Sequence, residues 1–167
     1  MNNLAGLLQD QGKLEEAAPL FRRALEAHER TLGAKHRDTL TSVNNLARLL
    51  LAQGQLEEAA PLVRRALEAR ERTLGAEHPH TLASVNNMAL LLQAQGKLEE
   101  AAPLFRRALE ASERTLGAEH PHTLSSLANF ASLLQAQGKL KEAAPLYRRA
   151  LEARERTLGA DHPDTLT

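Results

Sequence analysis

The sequence contains no cysteine, and this absence excludes disulfide bonds and thiolate metal sites. It also contains no tryptophan, and only 2% of its residues are aromatic. No stretch approaches the roughly 20 apolar residues that a membrane span requires. The first residues lack the basic start and apolar core of a signal peptide. We therefore expect a cytoplasmic protein without a membrane partner.

Net charge is absent as well, since Lys plus Arg and Asp plus Glu each number 21 among the 167 residues. A chain without a net field has little attraction for nucleic acid or for an anionic membrane surface. A helical-repeat reader of RNA would also need a basic groove and stacking aromatic side chains, whereas Tyr147 is the single tyrosine. We expect no nucleic-acid partner.

The sequence has internal repetition instead. The segment LGAEHPHTL begins at Leu74 and again at Leu116, and the variants LGAKHRDTL and LGADHPDTL begin at Leu32 and Leu158. These copies recur every 42 residues. A fixed period of roughly 20 to 50 residues is typical of a solenoid, in which each repeat packs only on its neighbours. We expect one array of about four repeats over residues 1–167.

Each repeat is predicted to be a pair of helices. Apolar residues recur at intervals of three and four from Leu40 to Leu51 and again from Leu56 to Leu74, which is the spacing of one helix face. Gly54 lies between the two series and Gly75 follows the second, as left-handed helix caps do. The fold class is therefore all-α, built from antiparallel pairs of a helix A and a helix B. The predicted pairs cover about residues 1–33, 39–75, 81–117 and 123–159, and residues 160–167 begin a truncated further helix.

Helix B carries two further repeated features. A proline lies about five residues inside it at Pro19, Pro61, Pro103 and Pro145. Proline there removes a hydrogen bond, but the apolar spacing continues in phase, so we expect the helix to continue with a slight bend. Glu and Arg four residues apart recur as Glu26/Arg30, Glu68/Arg72, Glu110/Arg114 and Glu152/Arg156. This pattern favours a solvated face.

The histidines lie in the loops between repeats. Pro79, Pro121 and Pro163 fit the first position of helix A, and the preceding His78, His120 and His162 are pushed into an extended conformation. A His-x-His ladder could hold zinc or nickel weakly, but no Asp, Glu or Cys is placed to complete the shell. The pattern therefore favours a structural corner, with no metal and no other cofactor.

The segment NNLARLLLAQGQLEEAAPLVRRAL, from Asn44 to Leu67, resembles a tetratricopeptide repeat in its small Ala47, its turn at Gly54 and its small residues on helix B. The 42-residue form, with LGAEHP between repeats, is similar to the repeats of kinesin light chains. This resemblance implies a right-handed α-solenoid whose A helices line a concave groove that holds an extended or helical peptide. It implies a binding module, either a scaffold or an adaptor, for a partner protein.

Asparagines mark the corresponding surface of helix A. They are Asn2, Asn3, Asn44, Asn45, Asn86, Asn87 and Asn129. Asparagine costs about 0.5 kcal/mol relative to alanine inside a helix, but its amide matches the donor and the acceptor of a peptide bond. Three residues after the second asparagine, the repeats differ and carry Gly6, Arg48, Leu90 and Ser132. We expect the asparagines, Arg48 and Ser132 to line the peptide-binding groove, with Arg48 meeting a ligand carboxylate.

A structural alternative exists for the asparagines. Their amides could bond to one another or to the backbone of the neighbouring repeat, and so fix the stacking angle. We favour ligand contact for the first asparagine of each pair and leave both interpretations open for the second.

Head-to-tail association and catalysis are two other classes of function. Met1 enters partway along a helix A, and Thr167 ends where the next helix A would start, so apolar residues such as Leu146, Ala150 and Leu151 should stay uncovered. Head-to-tail association through these ends is the alternative function. An enzyme is not expected, because the chain has no phosphate-binding glycine loop and no serine in a nucleophile turn.

Overall fold

The computed structural model describes residues 2–158, except for the last two side chains of that range, and every regular element in it is an α-helix. In chain order the helices are α1 (Asn2–Asp10), α2 (Leu14–Leu32), α3 (Arg37–Ala52), α4 (Leu56–Leu74), α5 (Pro79–Ala94), α6 (Leu98–Leu116), α7 (Pro121–Ala136) and α8 (Leu140–Leu158). The odd-numbered helices are the A helices and the even-numbered helices are the B helices. We number the pairs as repeats 1 to 4. The predicted all-α class is confirmed.

The A helices begin two residues before the positions that apolar periodicity predicted. α5 begins at Pro79 and α7 at Pro121, which confirms the prediction that these prolines occupy the first position of helix A. The periodic signal starts later because the first turn of each helix is polar. His78 is extended, with φ −64° and ψ 139°, and His120 is nearly identical. The predicted corner is therefore confirmed in these two loops. His162, Pro163 and the truncated helix predicted at 160–167 lie outside the described residues.

The loop histidines cap the A helices. The Nδ1 atoms of His36, His78 and His120 each accept the backbone N–H two residues later, at 3.2 Å. The bond satisfies one of the N–H groups that have no partner within the helix. Ser, Thr, Asp and Asn usually have this role, so the sequence patterns did not indicate that the imidazoles would be caps.

The glycines end the two kinds of helix in different ways. Gly54 has φ 72° and donates to Leu51 O, while Gln55 donates to Leu50 O, which is a Schellman motif. Gly75 has φ 89° but ψ 166°, so it is not in the left-handed helical conformation that was predicted. The chain leaves helix B with a positive φ and an extended ψ at this point, and only glycine tolerates that combination of angles.

The B helices continue through their prolines. α2, α4, α6 and α8 have 19 residues each, with Pro19, Pro61, Pro103 and Pro145 inside them. The predicted continuation is confirmed.

The chain divides into two compact units, which we call unit 1 (Met1–Ala76) and unit 2 (Glu77–Thr167). In unit 1, Phe21 and Leu25 of α2 share one core with Leu46 and Leu49 of α3. Unit 2 repeats this arrangement with Phe105, Leu109, Phe130 and Leu133. In both units an A helix packs on the helix B that precedes it. A single array over residues 1–167 stays a prediction.

Ion pairs connect the outer surfaces of the repeats. Arg65 Nη1 binds Glu29 Oε1 at 2.6 Å in unit 1, and Arg149 and Glu113 form the equivalent pair in unit 2. A second set ties the end of helix B to the loop before helix A, through Arg114–Glu77 and Arg156–Glu119. Arg114 and Arg156 had been assigned to partners four residues away. All these side chains are exposed or partly exposed, and such pairs contribute about 0–1 kcal/mol each.

Candidate peptide-binding surface

In unit 1 the first asparagine of the chain belongs to a polar cluster between helices. Asn2 Nδ2 donates to Ser42 Oγ at 3.0 Å, and His28 Nδ1 lies 2.9 Å from the same oxygen. Ser42 is fully buried, and its hydroxyl can both accept and donate. Asn2 Oδ1 is also buried and has no hydrogen-bond partner among the described residues. The cluster joins α1, α2 and α3.

Arg48 is exposed on α3, and its Nη2 donates to Gln9 Oε1 of α1 at 2.8 Å. This bond uses one of the five N–H groups of the guanidinium. The neutral glutamine fixes the side chain without cancelling its charge. Sequence reasoning predicted Arg48 as a surface cation but missed Gln9, whose only signal was its place seven residues after Asn2 on one helix.

The remaining predicted residues of unit 1 differ in exposure. Asn3 is exposed, while Asn44, Asn45 and Gly6 are half-buried.

In unit 2 two of the predicted asparagines contact each other. Asn129 Nδ2 on α7 donates to Asn86 Oδ1 on α5 at 3.2 Å. This is an amide-to-amide bond between successive A helices, as the structural alternative described. The bond uses the NH₂ group of Asn129 and the carbonyl of Asn86. It does not use the carbonyl of Asn129 or the NH₂ group of Asn86.

The structure separates the two asparagines of a pair. Asn86 is half-buried, whereas Asn87 is only 5% exposed. Consecutive residues in a helix point about 100° apart, so both cannot occupy the same strip of surface. Further along the same helices Ser132 is exposed and Leu90 is half-buried.

One position on helix B was missed. It carries His28, Arg70, Ser112 and Arg154 in the four repeats. Arg70 is 3% exposed, donates through Nη2 to Leu40 O at 3.3 Å, and has its pKa lowered to about 10 by burial. Because the B helices differ at only three positions, variation at this position was the signal that could have identified it.

No group of three or more His, Cys, Asp or Glu side chains is arranged to hold a metal in the described part of the chain. None of the described helices combines the length and apolar character needed to cross a membrane.

A family profile described as tetratricopeptide repeat matches residues 1–72, 42–111, 80–156 and 127–167. The chain belongs to the tetratricopeptide repeat family. Repeats of this family mediate protein–protein interaction and form a scaffold that is not itself catalytic. A search among curated proteins gave no match.

Solved tetratricopeptide structures resemble this one over almost the full chain. Two are crystal structures of a kinesin light chain from Podosopora anserina with nearly identical TPR-like repeats, one of them a point variant. The variant is 32% identical with a TM-score of 0.75, and the other is 33% identical with a TM-score of 0.74. Both comparisons cover 99% of this chain and 78% of the other. The predicted class, a right-handed α-solenoid of helix pairs, is confirmed.

A third solved structure, BtubC (BKLC) from P. vanneervenii, is 23% identical with a TM-score of 0.70. The comparison covers 91% of this chain and 61% of that one. At this identity the likeness concerns the fold alone.

Proposed function

We propose that the A-helix surface of this tetratricopeptide repeat protein binds a peptide segment of a partner protein, so that the chain acts as a scaffold or adaptor in the cytoplasm. The observation that carries the proposal is Arg48, which is exposed and fixed by the neutral Gln9. A fixed cation whose charge no carboxylate in this bond balances is suited to a ligand carboxylate. The residue at this position differs between repeats, whereas the apolar pattern of the surrounding helix does not.

The asparagines support the proposal by a division of roles. The bond from Asn129 to Asn86 fixes both amides and leaves one carbonyl and one NH₂ group outside that bond. A peptide bond presents the complementary donor and acceptor. The ligand backbone would therefore lie along the half-buried amides, while Asn3, Arg48 and Ser132 would contact its side chains. In this proposal the buried Asn87 stabilises the fold and does not contact the ligand.

We do not propose catalysis or RNA binding for the A-helix surface. Within the described A helices the exposed cations are Arg37, which pairs with Asp38, and Arg48. A ligand with one or a few acidic residues fits Arg48 better than a polyanion does. The partner is therefore a protein segment.

Display of a peptide library on beads, followed by affinity measurement, tests this function. We expect peptides selected by the wild-type chain to bind the Asn3→Ala/Arg48→Ala double variant at least about tenfold more weakly. The matched control is Arg30→Ala, which removes an exposed arginine from helix B and should leave the affinity within about twofold. Equal losses in both variants would contradict a groove on the A helices.

A specific observation also favours self-association as a second function. Leu4 and Leu7 of α1 are each 54% exposed, whereas their counterparts Leu46 and Leu49 are buried against α2. On α8, Tyr147 and Leu151 are exposed where the equivalent residues of α2 and α6 are buried. Inside each unit the counterparts of Leu4 and Leu7 share one core with the counterparts of Tyr147 and Leu151. The two exposed faces are thus complementary between copies.

Sedimentation velocity over a range of concentrations tests the second function. The wild-type chain should gain mass with concentration, and Leu7→Ser or Leu151→Ser should each shift the association to at least about tenfold higher concentration. Leu32→Ser changes an equally exposed leucine outside both faces and serves as the control. A wild-type chain of constant mass at all concentrations would rule this function out.

A further inference from the structure

A cavity of about 440 Å³ lies along helix α6 of unit 2, beside the start of α8. Most of its lining comes from α6, where Ala102 and Pro103 are apolar and Arg106 is a cation. Lys139, the residue before α8, completes the lining. The cavity therefore lies where two successive repeats of the unit meet, on the side of the B helices.

The corresponding place in unit 1 is crossed by an ion pair. Arg22 of α2 donates through Nη1 and Nη2 to Glu58 Oε2 of α4, at 3.0 Å in each case. By the 42-residue period, the counterparts in unit 2 are Arg106 and Glu142. Neither of them forms an ion pair with a described residue. The guanidinium of Arg106 is therefore not bound to a carboxylate across the two helices.

The ring of Phe130 accounts for the different contact of Arg106. The Cζ atom of Arg106 lies 5.9 Å from the centroid of this ring. Unit 1 has Leu46 at the equivalent position, and the face of an aromatic ring attracts a cation whereas leucine has no such face. The ring holds the guanidinium without cancelling its charge, so the N–H groups of Arg106 stay available to an acceptor.

The start of α8 is more positive than its counterpart in unit 1. Lys139 and Lys141 stand where unit 1 has Gln55 and Glu57. The first difference adds one positive charge, and the second changes the charge by two. Both lysines are exposed and neither forms an ion pair with a described residue. Arg106 and the two lysines therefore give this place a positive charge that its counterpart lacks.

Pro103 gives the cavity a backbone acceptor as well. Proline has no N–H, so the carbonyl of Glu99, four residues earlier, lacks its usual donor within the helix. Both residues line the cavity. The Glu99 side chain has its own contact, because Gln137 Nε2 donates to Glu99 Oε1 at 3.0 Å.

We infer that this cavity binds an acidic segment of a partner protein, whose glutamate or aspartate side chain is bound by Arg106 and Lys139. Both cations donate charge-assisted hydrogen bonds to the ligand carboxylate. A backbone N–H of the segment donates to the Glu99 carbonyl, and a neighbouring apolar side chain packs on Ala102 and Pro103. The site lies on the B helices, so it does not depend on the function proposed for the A-helix surface.

Two carboxylates in the lining restrict the kind of anion. Glu99 and Glu110 line the same cavity as the cations, and like charges repel. RNA or polyphosphate would bring many negative charges close to these carboxylates, whereas a segment with one acidic residue brings one. An inorganic phosphate would leave the apolar wall without a contact. A protein segment therefore fits this lining best.

Binding of capped peptides to the immobilised chain tests the site. The probe is a pool of seven-residue peptides with a central glutamate and flanking alanine, valine or leucine, and the matched pool has a central glutamine. Arg48→Ala is included in every chain to remove the carboxylate contact proposed for the A helices. We expect the glutamate pool to bind at least about tenfold more tightly than the glutamine pool.

Two further variants locate the binding. Lys139→Gln/Lys141→Glu places the residues of unit 1 at these positions and should weaken binding of the glutamate pool at least about tenfold, with an unchanged circular dichroism spectrum. Arg106→Ala should have a similar effect. Arg22→Ala is the matched control, because it removes the counterpart of Arg106 in unit 1, and it should change the affinity less than about twofold.

Three outcomes would overturn the inference. Equal binding of the two pools would show that no carboxylate is recognised, and equal losses in Arg22→Ala and Arg106→Ala would place the binding elsewhere. Displacement of the peptides by an equal concentration of inorganic phosphate would show a site for any small anion. Sedimentation provides the third: if the chain alone gains mass with concentration and Lys139→Gln/Lys141→Glu abolishes that gain, the occupant is a second copy of this chain.

Discussion

The loop between α2 and α3 in unit 1 and the loop between α6 and α7 in unit 2 share a geometry but carry different charges. His36 and His120 both cap the following helix through Nδ1 at 3.2 Å. The residue before the cap is Lys35 in the first loop and Glu119 in the second. Glu119 binds Arg156, whereas the first loop is held at its backbone, where Arg65 Nη2 donates to Ala34 O at 3.1 Å. Both loops have the histidine cap, whereas the ion pair of the residue before the cap is present only in the second loop.

The difference shows which contacts define the corner. The cap satisfies a helix N–H group that has no partner within the helix, and it recurs in every described loop that leads from a helix B to a helix A. The ion pair joins two exposed side chains and contributes little, so a lysine can replace the glutamate without altering the helix start. The four predictions below test whether the two units differ only in such surface contacts.

The largest expected effect lies in the core, where the units should behave alike. Phe21→Ala in unit 1 and Phe105→Ala in unit 2 each remove a ring that is at most 1% exposed. Each should lower the free energy of unfolding by about 3–5 kcal/mol in urea denaturation followed by circular dichroism. Tyr147→Ala, at the equivalent but exposed position, should cost only about 1 kcal/mol. A comparable loss at Tyr147 would show that its ring is covered in solution.

Glycine substitutions should give opposite signs within one unit. Gly54→Ala places a side chain at φ 72° and should destabilise by about 1–2 kcal/mol. Gly6 lies inside α1 with no heavy atom within 4 Å of an added Cβ, so Gly6→Ala should stabilise by about 0.5–1 kcal/mol. Thermal unfolding of both variants measures this. A destabilising Gly6→Ala would mean that the α1 surface is in contact with another molecule.

Removal of the histidine caps should lower the stability by slightly different amounts in the two loops. His36→Ala and His120→Ala each delete one cap and should cost about 1 kcal/mol. The loss should be larger in unit 1, because Arg37 follows the cap there, whereas the ring of Pro121 presets the helix start in unit 2. Hydrogen exchange of the N–H groups of Asp38 and His122 reports on each cap separately. Equal protection in the variants and the wild type would show that the bonds contribute nothing.

Exchanging the charges of Lys35 and Glu119 in the two loops should have the smallest effect on stability. Lys35→Glu places a carboxylate where the counterpart Glu119 binds Arg156, with Arg72 as its expected partner. A gain of a few tenths of a kcal/mol is expected, and it should vanish in high salt. Glu119→Lys is the reciprocal change and should lose the same amount. A gain that persists in high salt would point to a change in packing instead of charge.

Much of the fold could be predicted from local patterns. The apolar period and the glycines located every described helix, because both signals come from residues within one helix or turn. Apolar periodicity placed the start of helix A two residues late, since a polar first turn has no period, whereas Pro79 and Pro121 indicated it correctly. The extended exit at Gly75 was missed because a glycine in a sequence indicates a positive φ without determining ψ.

Less of the candidate surface could be predicted, because its contacts join residues about 40 positions apart. The partners of Asn2, Arg48 and Asn129 depend on how one repeat is placed on the next. Repetition shows that the residues recur but not which pairs meet. The same reason explains Arg114, whose partner lies in a loop and not on its own helix. Whether the A-helix residues bind a ligand stays a prediction.

The pairs Arg65–Glu29 and Arg149–Glu113 have the same separation along the chain in both units. Duplication or loss of a whole 42-residue segment therefore keeps the arginine and the glutamate of such a pair at the same separation, wherever the segment is cut. Insertion of a few residues would disturb only the pairs that span it, because residues beyond the insertion keep their separation. A gene-level change in length by one complete period should accordingly preserve all of these contacts.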